Sequence, residues 1–215
     1  MIGAGAPHRP SDLDCPHMTT PQLRKDAARN WDRIVAVARD LVDQGVALQL
    51  NDVARRAGVG VATVYRHFPT PEALLETVAA PCLEALAASG RAALADADPR
   101  HALEGFLSRV VEAQVTDAAL PPVAAAAEDA LPRTTELKRS LAEAGTALLD
   151  RARDAAAVRC DLAAADLVPL MCGIAHAVNV HGGTPAERVA TAHRYLATLL
   201  EGVHTVSDPP GHEAR

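Results

Sequence analysis

Two short stretches of apolar-patterned sequence, "LNDVARRA" (Leu50 to Ala57) and "VATVYRH" (Val61 to His67), are separated by Gly58, Val59 and Gly60 and stopped by Pro69 and Pro71. Glycine interrupts a helix, and proline has no amide hydrogen to carry the helical ladder onward. The spacing therefore predicts two short helices joined by a three-residue turn, a helix-turn-helix, whose second helix commonly lies in the major groove of DNA. Leu50, Val53 and Ala54 turn inward on the first, from a weak Gln49 cap. Ala57, Val59 and Val64 lock the pair together, which leaves the other faces of Val61 to His67 directed outward. Ahead of them Ile34, Val37, Ala38 and Leu41 repeat at helical spacing, predicting a helix from about Asp26 to Gln44 that Gly45 ends.

The remainder reads as helix throughout. Pro71 opens a helix burying Leu74, Leu75, Val78, Cys82 and Leu86, with Pro81 as a bend. Further helices are expected near residues 100–118, 134–157, 163–181 and 185–204, with a short one between Pro121 and Ala130. Hydrophobic residues make up 49% of the chain and aromatics only 2%, a balance that favours helices packed through small and aliphatic side chains over a β-sandwich. The fold class is all-α: a three-helix DNA-binding head at residues 22–70 and a larger helical body at 71–206, between an unstructured arm (1–21) and tail (207–215).

The net charge is −6 over the whole chain, yet residues 22–68 hold eight Lys/Arg against five Asp, a balance of +3; the first 21 residues contribute −1, so residues 69–215 carry −8. A basic segment joined to an acidic one fits a polyanion-binding module attached to something that does not bind polyanions. No apolar run approaches the roughly 20 residues needed to span a bilayer, and the first residues lack the apolar centre of a secretory signal. The expectation is a cytoplasmic protein with no membrane partner. Cys15, Cys82, Cys160 and Cys172 show no CxxC spacing and are expected as free thiols.

The segment "LNDVARRAGVGVATVYRHFPTPEALLETV" closely resembles the tetracycline-repressor (TetR) family of transcriptional regulators, through "VARRAGV", "YRHF" and "EALL" in that order. The resemblance covers Asp26 to Val78; the remaining two-thirds shares the family's helical layout and little of its sequence. It implies a bacterial homodimer that occupies a two-fold, palindromic operator in double-stranded DNA and represses transcription until a small molecule fills the body. It also implies phosphate anchoring by Thr63, Tyr65 and His67. Two departures stand out: Pro71 replaces a frequent Lys or Arg that touches phosphate, and Gly60 replaces the more usual Ser that opens the recognition helix.

Arg66 has a fork suited to guanine or to phosphate, and Val61 and Ala62 suit thymine methyls or simple packing. Arg24 and Lys25 near the start of the first helix are either flanking phosphate contacts or a solvated basic end. In the body, Cys82, Phe106, Val110, Gln114, Leu148, Met171, Cys172 and His176 are candidates to line a cavity for a small, mainly apolar ligand. Leu167, Leu170, Ile174, Val178, Val189, Leu196, Leu199 and Val203 form stripes suited to a four-helix seam with a second copy. Cys172 and His176 stand one helical turn apart, but two ligands do not make a zinc site. No catalytic residue, metal or cofactor is expected. The rival readings are a DNA-binding regulator without small-molecule input and a small helical metal- or thiol-dependent enzyme.

Overall fold

The computed structural model describes residues 20–158 and 161–203. Within them every regular element is an α-helix: α1 (Thr20–Asp43), α2 (Leu50–Ala57), α3 (Val61–His67), α4 (Pro71–Ala93), α5 (Pro99–Thr116), α6 (Leu120–Ala125), α7 (Pro132–Asp154), α8 (Ala164–His181) and α9 (Pro185–Val203). Helix α1 starts at Thr20, where the sequence pattern suggested Asp26; Pro21 sits in its first turn, a position that needs no amide hydrogen. Apart from Thr20 and Pro21, the expected arm lies outside the described residues, as does the tail.

The turn between α2 and α3 forms because Gly58 adopts left-handed backbone, φ 64° and ψ 37°, a region where a Cβ is strained. That geometry lets the Val59 amide donate back to the Ala54 carbonyl at 3.0 Å, satisfying a carbonyl that the helix end leaves open. Gln49 precedes α2 without a side-chain cap, whereas the Thr70 hydroxyl accepts the Ala73 amide at 3.2 Å and starts α4.

Ile34, Ala38 and Leu41 of α1, Val53 of α2, Val64 of α3 and Phe68 form the head's core. Trp31 of α1 lies with its ring centroid 6.2 Å from that of Phe68. The core does not stop at residue 70. Leu74, Val78, Leu83 and Leu86 of α4 and Leu120 and Val123 of α6 belong to the same cluster, so α4 is shared between head and body. A second cluster joins α5, α7, α8 and α9 through Leu103, Phe106, Leu148, Leu149, Met171, Val178 and Leu196. Helix α4 is also the one described helix long and apolar enough, at mean hydropathy 1.2, to cross a bilayer, and half of that stretch is buried inside the subunit.

Polar groups tie the helices end to end. Glu76 of α4 is buried and accepts the Ala130 and Leu131 amides at 2.6 and 2.8 Å. It serves the open amide end ahead of α7, where a negative charge is favoured. At the other end of α7, Arg151 donates to the Leu94 and Asp96 carbonyls, at 2.8 and 2.6 Å, just past the end of α4.

Helices α4 and α7 approach closely at Gly90. A Cβ built there would lie 2.8 Å from the Ala144 Cβ and 3.0 Å from the Phe106 Cε2, closer than packed carbons allow. Gly90→Ala should therefore push α4 from α7 and destabilise the fold by about 1–3 kcal/mol. Urea denaturation of the two proteins measures it; a variant of unchanged midpoint would mean that the helices separate freely.

Candidate nucleic-acid interface and cavity

Helix α3 divides its residues sharply. Val64 is buried, Thr63 and His67 are half-buried, and Val61, Ala62, Tyr65 and Arg66 are exposed. Val61 and Tyr65 lie one turn apart, as do Ala62 and Arg66, so the four share the outward face. Val61 is 46% exposed and Tyr65 47%, unusual for large apolar side chains with so little else to do. His67 sits against Phe68, ring centroids 6.2 Å apart. Gly60 precedes α3 in ordinary extended backbone, φ −64°, and a Cβ there would meet Thr63 Oγ1 at 3.6 Å, an ordinary contact.

The head's positive charge is less free than its count implies. Arg55 and Arg56 both pair with Asp52, whose carboxyl is held below its usual range chiefly by the hydrogen bond from Arg55. Arg29 pairs with Asp26 at 3.3 Å. Arg39 of α1 reaches out of the head to Asp117, at the end of α5, at 2.6 Å and also donates to the Val78 carbonyl in α4. Among the described residues of the head, Arg66, Lys25 and Arg33 have no ionic partner, Arg33 donating to the neutral Asn30 side chain at 2.6 Å; all three are exposed. Arg24 lies in α1, but its side chain is outside the described set.

In the body, α4 to α8 surround a cavity of about 420 Å³. Its wall is Leu83 and Leu86 of α4, Phe106, Val110 and Gln114 of α5, Leu120 of α6, Leu141 and Gly145 of α7, and Leu167 and Met171 of α8, among others. That size and apolar lining suit a small organic molecule. Lys138, also on the wall, is paired with Asp129 at 2.5 Å and donates to the Ala126 carbonyl at 3.3 Å.

Residues 34–78 match the profile of the bacterial regulatory proteins, tetR family, and residues 98–205, half of the chain, match the C-terminal domain of SbtR-like transcriptional regulators. The chain belongs to the TetR family. A TetR transcriptional regulator from Streptomyces coelicolor is 30% identical, with a TM-score of 0.52, over 82% of this chain and 99% of that one. FadR from Bacillus subtilis, solved in complex with stearoyl-CoA, superposes with a TM-score of 0.59 over 81% of this chain and 100% of its own; at 16% identity it shares the fold. An HTH-type transcriptional regulator of Staphylococcus aureus is 36% identical over 58 residues, 26% of this chain and 30% of that relative. The chain thus matches under a third of that curated relative's length.

In this TetR-family regulator, Phe106, Val110, Gln114 and Met171 come together on the cavity wall, and four other expected lining residues stand elsewhere. Leu148 is buried in the body core, and His176 is exposed on α8. Cys172 contacts the cavity only through Gln114, whose Nε2 lies 3.6 Å from its sulfur. Cys82 sits beside Asp117. Of the seam candidates, Leu167, Ile174, Val178 and Leu196 are buried within this subunit, Leu196 to 2%. Leu170, Val189 and Leu199 are half-buried against the same core, and the side chain of Val203 lies outside the described residues. Sequence reasoning did not single out Arg39, Asp117, Leu83, Leu120 or Gly145. Small and plainly aliphatic residues carry no signal of a cavity, and a pair 78 positions apart carries none of its meeting.

Cys82 and Cys172 are free thiols; Cys15 and Cys160 are not among the described residues. Burial, followed by the negative charge of Asp117, pushes the Cys82 thiol up to about 11. At pH 8.5 roughly 0.3% of it is then thiolate, the form that alkylates. Iodoacetamide should modify Cys82 on the order of 100-fold more slowly in the native than in the unfolded chain, read by mass spectrometry of the Cys82 peptide. Asp117→Asn removes the neighbouring charge, lowers the pKa and should quicken the reaction, while burial keeps it below the unfolded rate.

Proposed function

We propose that this TetR-family regulator is a homodimeric repressor that binds a palindromic operator and is released when a small, mainly apolar molecule occupies the body cavity. The observation that carries this reading is a shared wall. Leu83, Leu86 and Leu120 line the cavity and also belong to the head's hydrophobic cluster. A ligand that displaces them acts on the core that supports α3. Ligand binding on this fold has a precedent in FadR, solved in complex with stearoyl-CoA, a larger and charged molecule with an apolar acyl chain. In a dimer the two α3 helices must match successive major grooves, about 34–36 Å apart, and the ligand must prefer a conformation in which they do not.

Residues 22–70 act as the DNA-binding unit and 71–206 as the ligand-binding and dimerisation unit. Arg66 and Lys25 supply unpaired positive charge, Tyr65, Thr63 and His67 hold phosphate, and Val61 and Ala62 face the bases. The seam runs along the outer faces of α8 and α9. There Val180 is 76% exposed, and Gly173, Ala177, Ala190 and Ala197 are exposed small residues that permit close helix approach. Arg188 holds the two helices together by donating to Asn179 at 2.7 Å. This places the contact one face away from Leu167, Ile174, Val178 and Leu196.

Selection of bound sequences from a random duplex pool tests the operator, and a palindromic consensus is expected. Affinity should fall with salt at a log–log slope of about −0.9 for each phosphate neutralised. Arg66→Ala should cost about 1–3 kcal/mol and relax preference at one base pair if the guanidinium meets a guanine edge; uniform weakening on all sequences reassigns it to phosphate.

Val180→Glu should yield folded monomers by sedimentation, because it sets a charge into the proposed seam without touching the subunit core. Leu196→Glu, by contrast, should fail to fold. A dimeric, operator-binding Val180→Glu protein removes this face from the interface.

A further inference from the structure

Gln114 is the one polar residue among the described buried side chains that lines the cavity. It is 4% exposed. One end of its amide makes only a long contact, Nε2 to the Cys172 sulfur at 3.6 Å, and its Oε1 has no hydrogen-bond partner among the described residues. A buried amide oxygen without a partner is destabilising, and an apolar core residue of the same shape would avoid the penalty. The cationic side chain on the wall is already engaged, since Lys138 is held by Asp129 and the Ala126 carbonyl. The wall hydroxyl of Thr146 donates to the Ala142 carbonyl of its own helix at 2.9 Å.

We infer that the cavity takes a neutral, mainly apolar molecule bearing one hydroxyl group, alcohol or phenol, and that Gln114 is the residue that recognises the hydroxyl. The inference deepens the reading of the cavity as the ligand site and rests on it. A hydroxyl fits because it donates to the open Oε1 while Nε2 keeps its contact with the Cys172 sulfur. An ether or ester oxygen only accepts. A carboxylate would be desolvated in an apolar chamber whose cation is already neutralised, which is strongly unfavourable. Apolar contacts with Phe106, Leu141 and Met171 then supply affinity, and Gln114 supplies discrimination, as when a site built around a substrate hydroxyl rejects analogues that lack it.

The test uses the full chain and three probes of one chain length, 1-decanol, decyl methyl ether and decanoate, titrated by calorimetry. The alcohol should bind roughly 10- to 100-fold more tightly than the ether, and decanoate more weakly still. In Gln114→Met, which keeps side-chain length, the alcohol should lose this advantage while the ether binds as well or better. Equal binding of alcohol and ether by the unaltered protein overturns the hydroxyl inference, whether or not the variant folds, and so does tighter binding of decanoate. Met171→Trp separates this from the underlying reading. If probe binding is abolished by that filling substitution, the cavity is the site and only the selectivity is at issue. Should none of the probes bind, or should all of them bind unaffected by Met171→Trp, the cavity itself fails as the ligand site and the inference falls with it.

Discussion

The guanidinium of Arg39 joins three helices that the chain brings together from far apart. From α1 it donates to the Val78 carbonyl in α4 and to Asp117 at the end of α5. The same Asp117 oxygen accepts the Ala119 amide at 2.9 Å, which fixes the turn into α6. Both partners are partly shielded, so the pair is more than a surface ion pair, and removing one member would leave the other charge in poorly solvated surroundings. The head's orientation therefore has an electrostatic anchor as well as an apolar one. The apolar part is the continuous cluster running from Ile34 and Phe68 through Leu74 and Val78 to Leu83 and Leu120. Helix α4 alone would hinge; α4 with Arg39 and α6 forms a braced joint.

The DNA-binding head was readable because its determinants are local. Gly58 needs left-handed backbone within a single turn, Pro69 and Pro71 stop α3 within two residues, and the apolar spacing over Leu50, Val53, Ala54 and Val64 has one solution. Helix α2 and α3 accordingly fall where the sequence sets them. The body was readable only as helices. Periodicity finds the side of a helix that is buried but not what covers it: Leu196 and Val178 have the spacing of a seam, and here they fill the subunit's own core. Phe106, Val110, Gln114 and Met171 were legible as wall residues because bulky or polar side chains on apolar faces are conspicuous. Gly145 and Leu141 complete the same wall and are not. The early start of α1 escaped notice because the sequence ahead of Asp26 holds one large apolar residue, Leu23, among Thr20, Pro21, Gln22, Arg24 and Lys25, too few to set a period.

Charge has a similar history. A balance of +3 over residues 22–68 reads as a basic patch, but the geometry commits Arg55 and Arg56 to Asp52, Arg29 to Asp26 and Arg39 to Asp117. These pairs fix side chains and define the shape of the surface. Exposed pairs of this kind contribute little to stability, and phosphate oxygens compete well for an arginine whose partner is an exposed carboxylate. What remains at the outward face of α3 is a single unpaired guanidinium beside a tyrosine ring and the apolar side chains of Val61 and Ala62. Such a surface is suited to reading a few base pairs with modest electrostatic help, in keeping with the net negative charge of the chain as a whole.

The energetic scale of the proposed switch follows from the parts available. Coupling between two binding sites is typically 1–3 kcal/mol, a 5- to 150-fold change in affinity. That is the size of one well-placed hydrogen bond or of a few buried methylene groups, so no wholesale rearrangement of the body is required. A ligand that spreads Leu83 or Leu86 from Leu120 opposes the packing that holds α4 and α6 to the head, while Arg39 resists by keeping α1, α4 and α5 in register. In the proposed release, ligand binding works against both of these interactions. Because cores accept discrete packings more readily than graded ones, the proposed release would take the form of a change between two arrangements of α4, each compatible with the same fold.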